Sequence, residues 1–266
     1  MDQIIDLSDC TFIIPVKLDS EDREQNFRFV MKWFYDKFKT NIIITESSHN
    51  DDLALKIDYP DILTKNNVTL IEKPNERYFR RTHYLNEMLK LSKTPVTINY
   101  DIDVFMPIHN YWEAKEKILK ENFDLVYPFS LGKFQLEVPQ QYRDELLQQK
   151  ENIVKIDTKR LLLNVSEYGH VQFFKTSSYK KGFGENEEFI SFGPEDQERY
   201  YRFNTLGYNV CHLDNRYVFH LNHSRGRDSS KHKHYKGNVN LMDKIKGLKK
   251  DELVEYYKKL PYTKKL

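Results

Sequence analysis

The first half of the chain alternates short apolar runs with stretches of helical periodicity. Thr11-Phe12-Ile13-Ile14-Pro15-Val16 is an apolar run closing on Leu18-Asp19-Ser20, the pattern of a buried strand entering a turn. Phe27, Val30, Met31, Phe34 and Phe38 then recur at helical spacing with charged residues between them, predicting an amphipathic helix. Asn41–Thr45 and Val68–Ile71 predict two further strands. Residues 75–91 predict a helix carrying Arg77, Arg80 and Arg81 in its first turns, and Pro95–Tyr100 a fourth strand. Strands separated by helices imply βαβ units, hence an α/β fold with a mixed, mostly parallel sheet flanked by helices.

The second half is less regular. Phe123–Tyr127 and Val171–Phe174 read as strands separated by a polar stretch through Arg160, and Glu195–Leu206 reads as a helix. Tyr217–Phe219 reads as a strand entering a His-rich loop that continues through His232 and His234. From Asn240 to Leu260 a Lys-rich amphipathic helix, or a pair, is expected on the surface. With no internal repeat, low-complexity tract or Gly/Ser linker, the simplest organisation is one domain over residues 1–228 with a C-terminal helical extension over 229–266.

Composition narrows this picture without directing it. At 266 residues and 39% hydrophobic content the chain can bury a sizeable core. Its 42 basic and 40 acidic residues leave a formal net charge of +2, so the overall field gives no argument for nucleic acid or a strongly charged partner. Cys10 and Cys211 lack the spacing of zinc or redox motifs and read as free thiols. Met1–Asp6 has no leader-like pattern, and no run approaches the roughly eighteen apolar residues of a membrane span, so a cytoplasmic location is expected. The Lys-rich tail leaves room only for weak peripheral contact with an anionic membrane.

In open α/β sheets ligands bind beyond the carboxyl ends of the strands, where Asp101 and Asp103 fall. Two carboxylates one residue apart can hold a divalent cation and reach a ribose or sugar hydroxyl, although Asp-x-Asp is also a common solvated turn. Here they interrupt a segment apolar on both sides, and a cation would offset the cost of their burial. Phe192-Gly193-Pro194-Glu195-Asp196 suits a helix N-terminus, and equally a loop delivering two acids into a cleft. His220 and His223, just past a strand, are spaced as paired metal ligands or as part of a His-rich surface loop; imidazole added to carboxylate favours Mn²⁺ over Mg²⁺.

Taken in order, these features resemble the beta-1,4-galactosyltransferases, inverting enzymes of the GT-A fold. Asn99-Tyr100-Asp101-Ile102-Asp103-Val104-Phe105-Met106-Pro107 is similar to that family's Asp-Val-Asp segment. Phe192–Asp196 is similar to its Gly-Gly-Glu-Asp loop, and His220-Leu221-Asn222-His223-Ser224-Arg225 to its metal-binding Met-x-x-His. Phe12–Lys17 and Phe79–Thr82 resemble two nucleotide-contacting segments. The resemblance runs from about Thr11 to Arg225. It implies a nucleotide-sugar half over about residues 1–108 and an acceptor half over about 109–228.

By position, the resemblance implies that Asp103, His220 and His223 hold Mn²⁺ and that Asp101 meets the donor ribose or sugar. Pro15, Lys17 and Arg81 would line the UDP site. Asp196 would be the catalytic base, Glu195 a sugar contact, and Phe192 and Gly193 part of the acceptor or sugar site. Pro194, Phe192, Lys17 and His220 stand where the family has Gly, Trp, Arg and Met; the first two leave acceptor identity and loop mobility open, and the last is expected to tighten metal binding. The reaction implied is inverting transfer of a hexose, galactose first, from a UDP-sugar to the hydroxyl of a glycan, glycolipid or glycoprotein. UDP-GalNAc, UDP-Glc, UDP-GlcNAc or UDP-GlcA are alternative donors, with choice resting on side chains around Glu167 to His170. A nucleotidyl or phosphoryl transferase would be expected to carry a phosphate-cradling Gly-rich loop, and none is evident. A non-catalytic nucleotide-sugar or glycan-binding module is the remaining alternative. Tyr100, Tyr127 and Tyr179 are further candidates to face a sugar, and His232 and His234 to sit on a loop that closes over the donor.

Overall fold

The computed structural model describes residues 4–64, 67–142, 161–162, 168–226 and 232–266. Its main sheet has seven strands, led in the chain by β1 (Ile5–Val16), β2 (Phe38–Ser47), β3 (Val68–Lys73) and β4 (Val96–Tyr100). In space these run β4-β1-β2-β3, all parallel. Beyond β4 lies β9 (Val171–Lys175), antiparallel to β4 and to β6 (Leu125–Tyr127), and the sheet ends on β10 (Val210–His212), parallel to β6. The expected mixed, mostly parallel α/β sheet is therefore present, with each expected strand in place and extended or shortened at its ends.

Helix α1 (Glu21–Lys37) opens with Glu21, Asp22 and Glu24 in its first turn, where carboxylates complement the helix dipole. Its stripe of Phe27, Val30, Met31 and Phe34 is fully buried against the sheet. Phe38 is the first residue of β2 rather than a helical residue, yet it stays in the same aromatic core, 4.8 Å from the Tyr111 ring. Helix α4 starts at Arg81 and runs to Leu91, shorter than the periodicity predicts, so Arg77 and Arg80 precede it. Asn75 takes a left-handed φ of 58°, and its N–H, with that of Glu76, bonds Asn50 O and Ser48 O. The segment is thereby tied to the loop after β2 and cannot begin a helix there.

A second, four-stranded sheet orders β5 (Val104–Phe105), β11 (Val218–Leu221), β7 (Gln135–Val138) and β8 (Leu161–Leu162). Its antiparallel β5–β11 pairing sets Val104 opposite His220, which brings the residues after Asp103 against the His-rich segment. Tyr100, Tyr127 and Tyr179 are fully buried, so none of them faces an open cleft: the Tyr100 hydroxyl bonds Val104 O and Tyr111, and that of Tyr179 meets Glu185. Helix α7 (Glu195–Leu206) has the bounds expected from the sequence.

The C-terminal helices α8 (Tyr235–Lys246) and α9 (Lys250–Lys258) carry exposed Lys249, Lys250, Lys258 and Lys259. Their other face is not solvated. Met242, Ile245, Leu253 and Tyr257, with Tyr262, form a second apolar core with Phe189.

Candidate active site

Asp101 directly follows β4, its N–H bonded to His170 O, and Val104 N–H closes a tight turn on Asp101 O. Within that turn the two carboxylates diverge. Asp101 Oδ1 accepts from Arg81 Nη2 at 2.7 Å, whereas Asp103 Oδ2 faces His223 Nε2 at 2.9 Å and His220 Nε2 at 3.7 Å. Leu221 N–H bonds Asp103 O at 2.7 Å, joining the end of β11 to the same turn.

Arg81, the first residue of α4, bridges this turn to the start of α7: its Nη1 lies 3.4 Å from Asp196 Oδ1 and 4.0 Å from Glu195 Oε1. Arg199, one turn along α7, donates to the same Asp196 oxygen at 2.7 Å. The fully buried Arg199 also holds Glu185 through Nε and Nη2, both at 2.7 Å, and Glu185 is met in turn by Asn99 and Tyr179. Glu195 is 95% buried and its Oε2 has no partner.

Asp103, His220 and His223 form a group whose donor atoms all lie within 4.8 Å of one another. Their chemistry suits a cation. His223 Nδ1 is 2.7 Å from Ser224 O, so the ring proton belongs at Nδ1 and Nε2 turns its lone pair toward the Asp103 carboxylate. Two acceptors 2.9 Å apart need a proton or a cation between them. His220 adds a buried imidazole whose Nδ1 has no partner. Imidazole and carboxylate together suit Mn²⁺ or a similar borderline divalent ion.

The first turn of α1 braces this group. Ser224 N–H and Oγ both bond Asp22, and Asn26 Nδ2 bonds Leu221 O and Asn222 O. Arg23 pairs with Asp19 at 3.4 Å, and Asp19 with Lys17 at 3.2 Å. Lys17 is buried beyond Pro15 at the carboxyl end of β1, beside His49 Nε2 at 2.5 Å. Phe192 is 42% exposed, and Gly193 packs so tightly on α8 that a Cβ there would come 2.7 Å from Asn238 Nδ2. Glu167 and residues 227–231 lie outside the described residues, so Tyr168 to His170 and part of the expected closing loop are placed.

The fields separate the acids. Burial alone would raise every carboxyl here. His220 and His223 hold Asp103 far below the usual carboxylate range, and Arg81 with Arg199 holds Asp196 low. Burial and the adjacent Asp196 push Glu195 up to about 8. Burial also raises Asp101, against the pull of Arg81. Neighbouring acids are thus set in different protonation states, as acid–base chemistry requires. His170, buried at a left-handed φ of 68° with Nε2 unpartnered, is pushed by burial down to about 4 and is neutral. Sequence reasoning missed Arg199, Glu185, Asp22 and Arg23; only Arg199 left a signal, at i+3 from Asp196 on one helix face.

No protein-family model matches this chain, and no curated protein matches it. Solved structures do. The chain superposes on S. aureus TarS 1-349 in complex with UDP-GlcNAc with a TM-score of 0.60 at 13% identity, covering 93% of this chain and 71% of that one. GalNAc-T7 with UDP, GalNAc and Mn²⁺ gives a TM-score of 0.60 at 13% identity, over 95% of this chain and 52% of that one. The mannosyltransferase PcManGT from Pyrobaculum calidifontis, in complex with GDP-Man and Mn²⁺, gives 0.53 at 14% identity, over 82% and 58%. The fold is that of the GT-A glycosyltransferases. Within this GT-A fold the chain spans little more than half the length of the mannosyltransferase and of GalNAc-T7. Asp101, Asp103, Glu195, Asp196, His220 and His223 gather beyond the carboxyl end of β4, and no described helix is long and apolar enough to cross a membrane.

Proposed function

We propose that the chain is a metal-dependent glycosyltransferase that moves a hexose from a UDP-sugar to an acceptor hydroxyl with inversion. One observation carries the reading: Asp101 and Asp103 take opposite partners from a single turn, one toward the acids of α7 and one toward His220 and His223. In this reading Asp103, His220 and His223 hold Mn²⁺, which supplies charge neutralisation for the departing diphosphate. Asp101, with Pro15, Lys17 and Arg81, lines the nucleotide site. Asp196, kept ionised by Arg81 and Arg199, accepts the proton of the attacking hydroxyl through its oxygen not engaged by arginine. Protonated Glu195 contacts a sugar hydroxyl with Phe192 and Gly193 beside it. UDP-Gal is the first donor to assay, followed by UDP-GalNAc, UDP-Glc, UDP-GlcNAc and UDP-GlcA, with a glycan, glycolipid or glycoprotein as acceptor. Residues 1–228 would form the catalytic domain. The likeness to TarS with UDP-GlcNAc and to GalNAc-T7 with UDP and Mn²⁺ supports the nucleotide-sugar class.

The test is a panel of UDP-sugars assayed for Mn²⁺-dependent release of UDP, with and without glycan acceptors. Turnover with at least one donor, lost in Asp103→Ala, is expected. Asp196→Asn should abolish transfer while leaving Mn²⁺ and UDP binding intact. Retained turnover in that variant would sink its assignment as the base.

A further inference from the structure

Next to Glu195 and Asp196 the surface carries a run of aromatic rings that the proposed chemistry leaves largely unused. Phe192 and Tyr235 are 42% and 37% exposed, with ring centroids 6.1 Å apart and planes within 18°. From Tyr235 the run continues to His232 at 6.3 Å, then to His234 6.0 Å beyond it, and ends on Tyr78 at 4.8 Å from His234. Phe192 and Tyr235 leave two flat apolar rings in water at a spacing that suits successive pyranose rings, while His232, His234 and Tyr78 are half-buried and meet their neighbours tilted or edge-on. The two sides of the run are joined firmly. His232 Nε2 and Asn238 Nδ2 meet Phe192 O at 2.6 and 3.0 Å, so the loop before α7 and the start of α8 form one surface.

At the Tyr78 end of this band the charge has one sign. The Arg77 guanidinium carbon and Lys233 Nζ lie 5.3 and 5.4 Å from the Tyr78 ring centre. The fixed charges whose fields bear on His234 are Lys233 and Arg77, with no carboxylate beside them. Lys236 is exposed one residue past Tyr235.

We infer that this band is an acceptor subsite for an anionic oligosaccharide, its sugar rings stacking on Phe192 and Tyr235 and its acidic groups meeting Arg77 and Lys233. The inference rests on the glycosyltransferase reading, because the band begins three residues before Glu195. It gives the C-terminal helices a part in substrate recognition. A single-stranded nucleic acid would use the same residue types, but the band adjoins the proposed sugar-transfer site at Glu195 and Asp196, which favours a saccharide.

The test is calorimetric titration of the full chain with hexagalacturonate, maltohexaose and decathymidylate, each with UDP and Mn²⁺ and again without them. Hexagalacturonate should bind about tenfold more tightly than maltohexaose at low salt, the gap narrowing as salt rises. Tyr235→Ala should weaken both about fivefold, and Tyr235→Phe should restore them. Arg77→Gln with Lys233→Gln should bring hexagalacturonate down to the level of maltohexaose. Equal affinity for the two hexasaccharides, no binding of either under both conditions, indifference to these substitutions, or tighter binding of decathymidylate would each overturn the inference. Failure of the donor reading is scored separately on the same protein, as the absence of a Mn²⁺-dependent thermal shift with UDP.

Discussion

Arg199 reaches Asp196 Oδ1 with Nη1 at 2.7 Å while its Nε and Nη2 hold Glu185 at the same distance. One fully buried guanidinium therefore joins the start of α7 to the loop before it and fixes an acid in the candidate active site. Removing one partner of a buried pair strands the other charge. Arg199→Met should thus destabilise the protein by about 3–5 kcal/mol in urea denaturation. The double variant Arg199→Met with Glu185→Leu should recover more than half of that loss. If the double is as unstable as the single, charge pairing is not what Arg199 contributes.

The two acids at the start of α7 should respond differently to amide substitution. Glu195, pushed up to about 8 by burial and by Asp196, is protonated at neutral pH, so Glu195→Gln resembles its resting state. Asp196 is held ionised by Arg81 and Arg199 against its burial, so Asp196→Asn removes the charge that accepts a proton. At pH 7 the glutamine variant should lose less than about tenfold in transfer rate and the asparagine variant about a thousandfold or more. Reversed magnitudes, measured as kcat on the best donor–acceptor pair, would exchange the roles of the two residues.

What the sequence disclosed follows from the range of each interaction. β1, β2 and β4 were legible from their apolar runs, and α7 from the acids and Pro194 at its N-terminus, since its buried face is mostly charged. The second sheet was not legible, since β5 and β8 are two residues each and show no period. Yet the β5–β11 pairing is what sets the turn holding Asp103 against His220 and His223. The chemical types of the site residues could be read from the residues themselves, whereas their division into two clusters was implied only by the resemblance. Asp101 and Asp103 are one residue apart, and only the turn geometry sends them opposite ways. Glu185 carried no local mark because its role depends on Arg199, fourteen residues away across an irregular loop.

His170 and His212 make stability depend on mildly acidic pH. Burial holds both at about 4 in the folded chain, against 6.5 for an ordinary histidine. The unfolded chain therefore takes up protons first, and the folded state loses stability as pH falls from 6.5 toward 4. For the almost fully buried His170 the loss between pH 7.5 and pH 5 is about 2 kcal/mol. His170→Asn tolerates the left-handed backbone and cannot titrate. Urea midpoints at the two pH values should show a smaller acid-induced drop for this variant than for the native chain. An unchanged drop would mean that the ring is solvated or already charged.

His220 and His223 should contribute differently to metal binding. With Nδ1 committed to Ser224 O, His223 faces Asp103 through Nε2; burial lowers its proton affinity, but the carboxylate outweighs burial and raises it overall. The metal-free site therefore carries a proton on His223 at pH values where an ordinary histidine is losing its own. A cation must displace that proton. His220, driven down chiefly by burial, gives up its proton at lower pH than His223 does. Mn²⁺ affinity should be level above the raised pKa of His223 and fall about tenfold per pH unit below it. Calorimetry in buffers of different ionisation enthalpy should report proton release that is larger at pH 6.5 than at pH 8. His220→Gln should weaken Mn²⁺ binding but preserve the proton release, whereas His223→Gln should lose both. Proton release that survives in the His223 variant would show that the displaced proton sits elsewhere, and pH-independent affinity would remove Asp103–His223 as the seat of the metal.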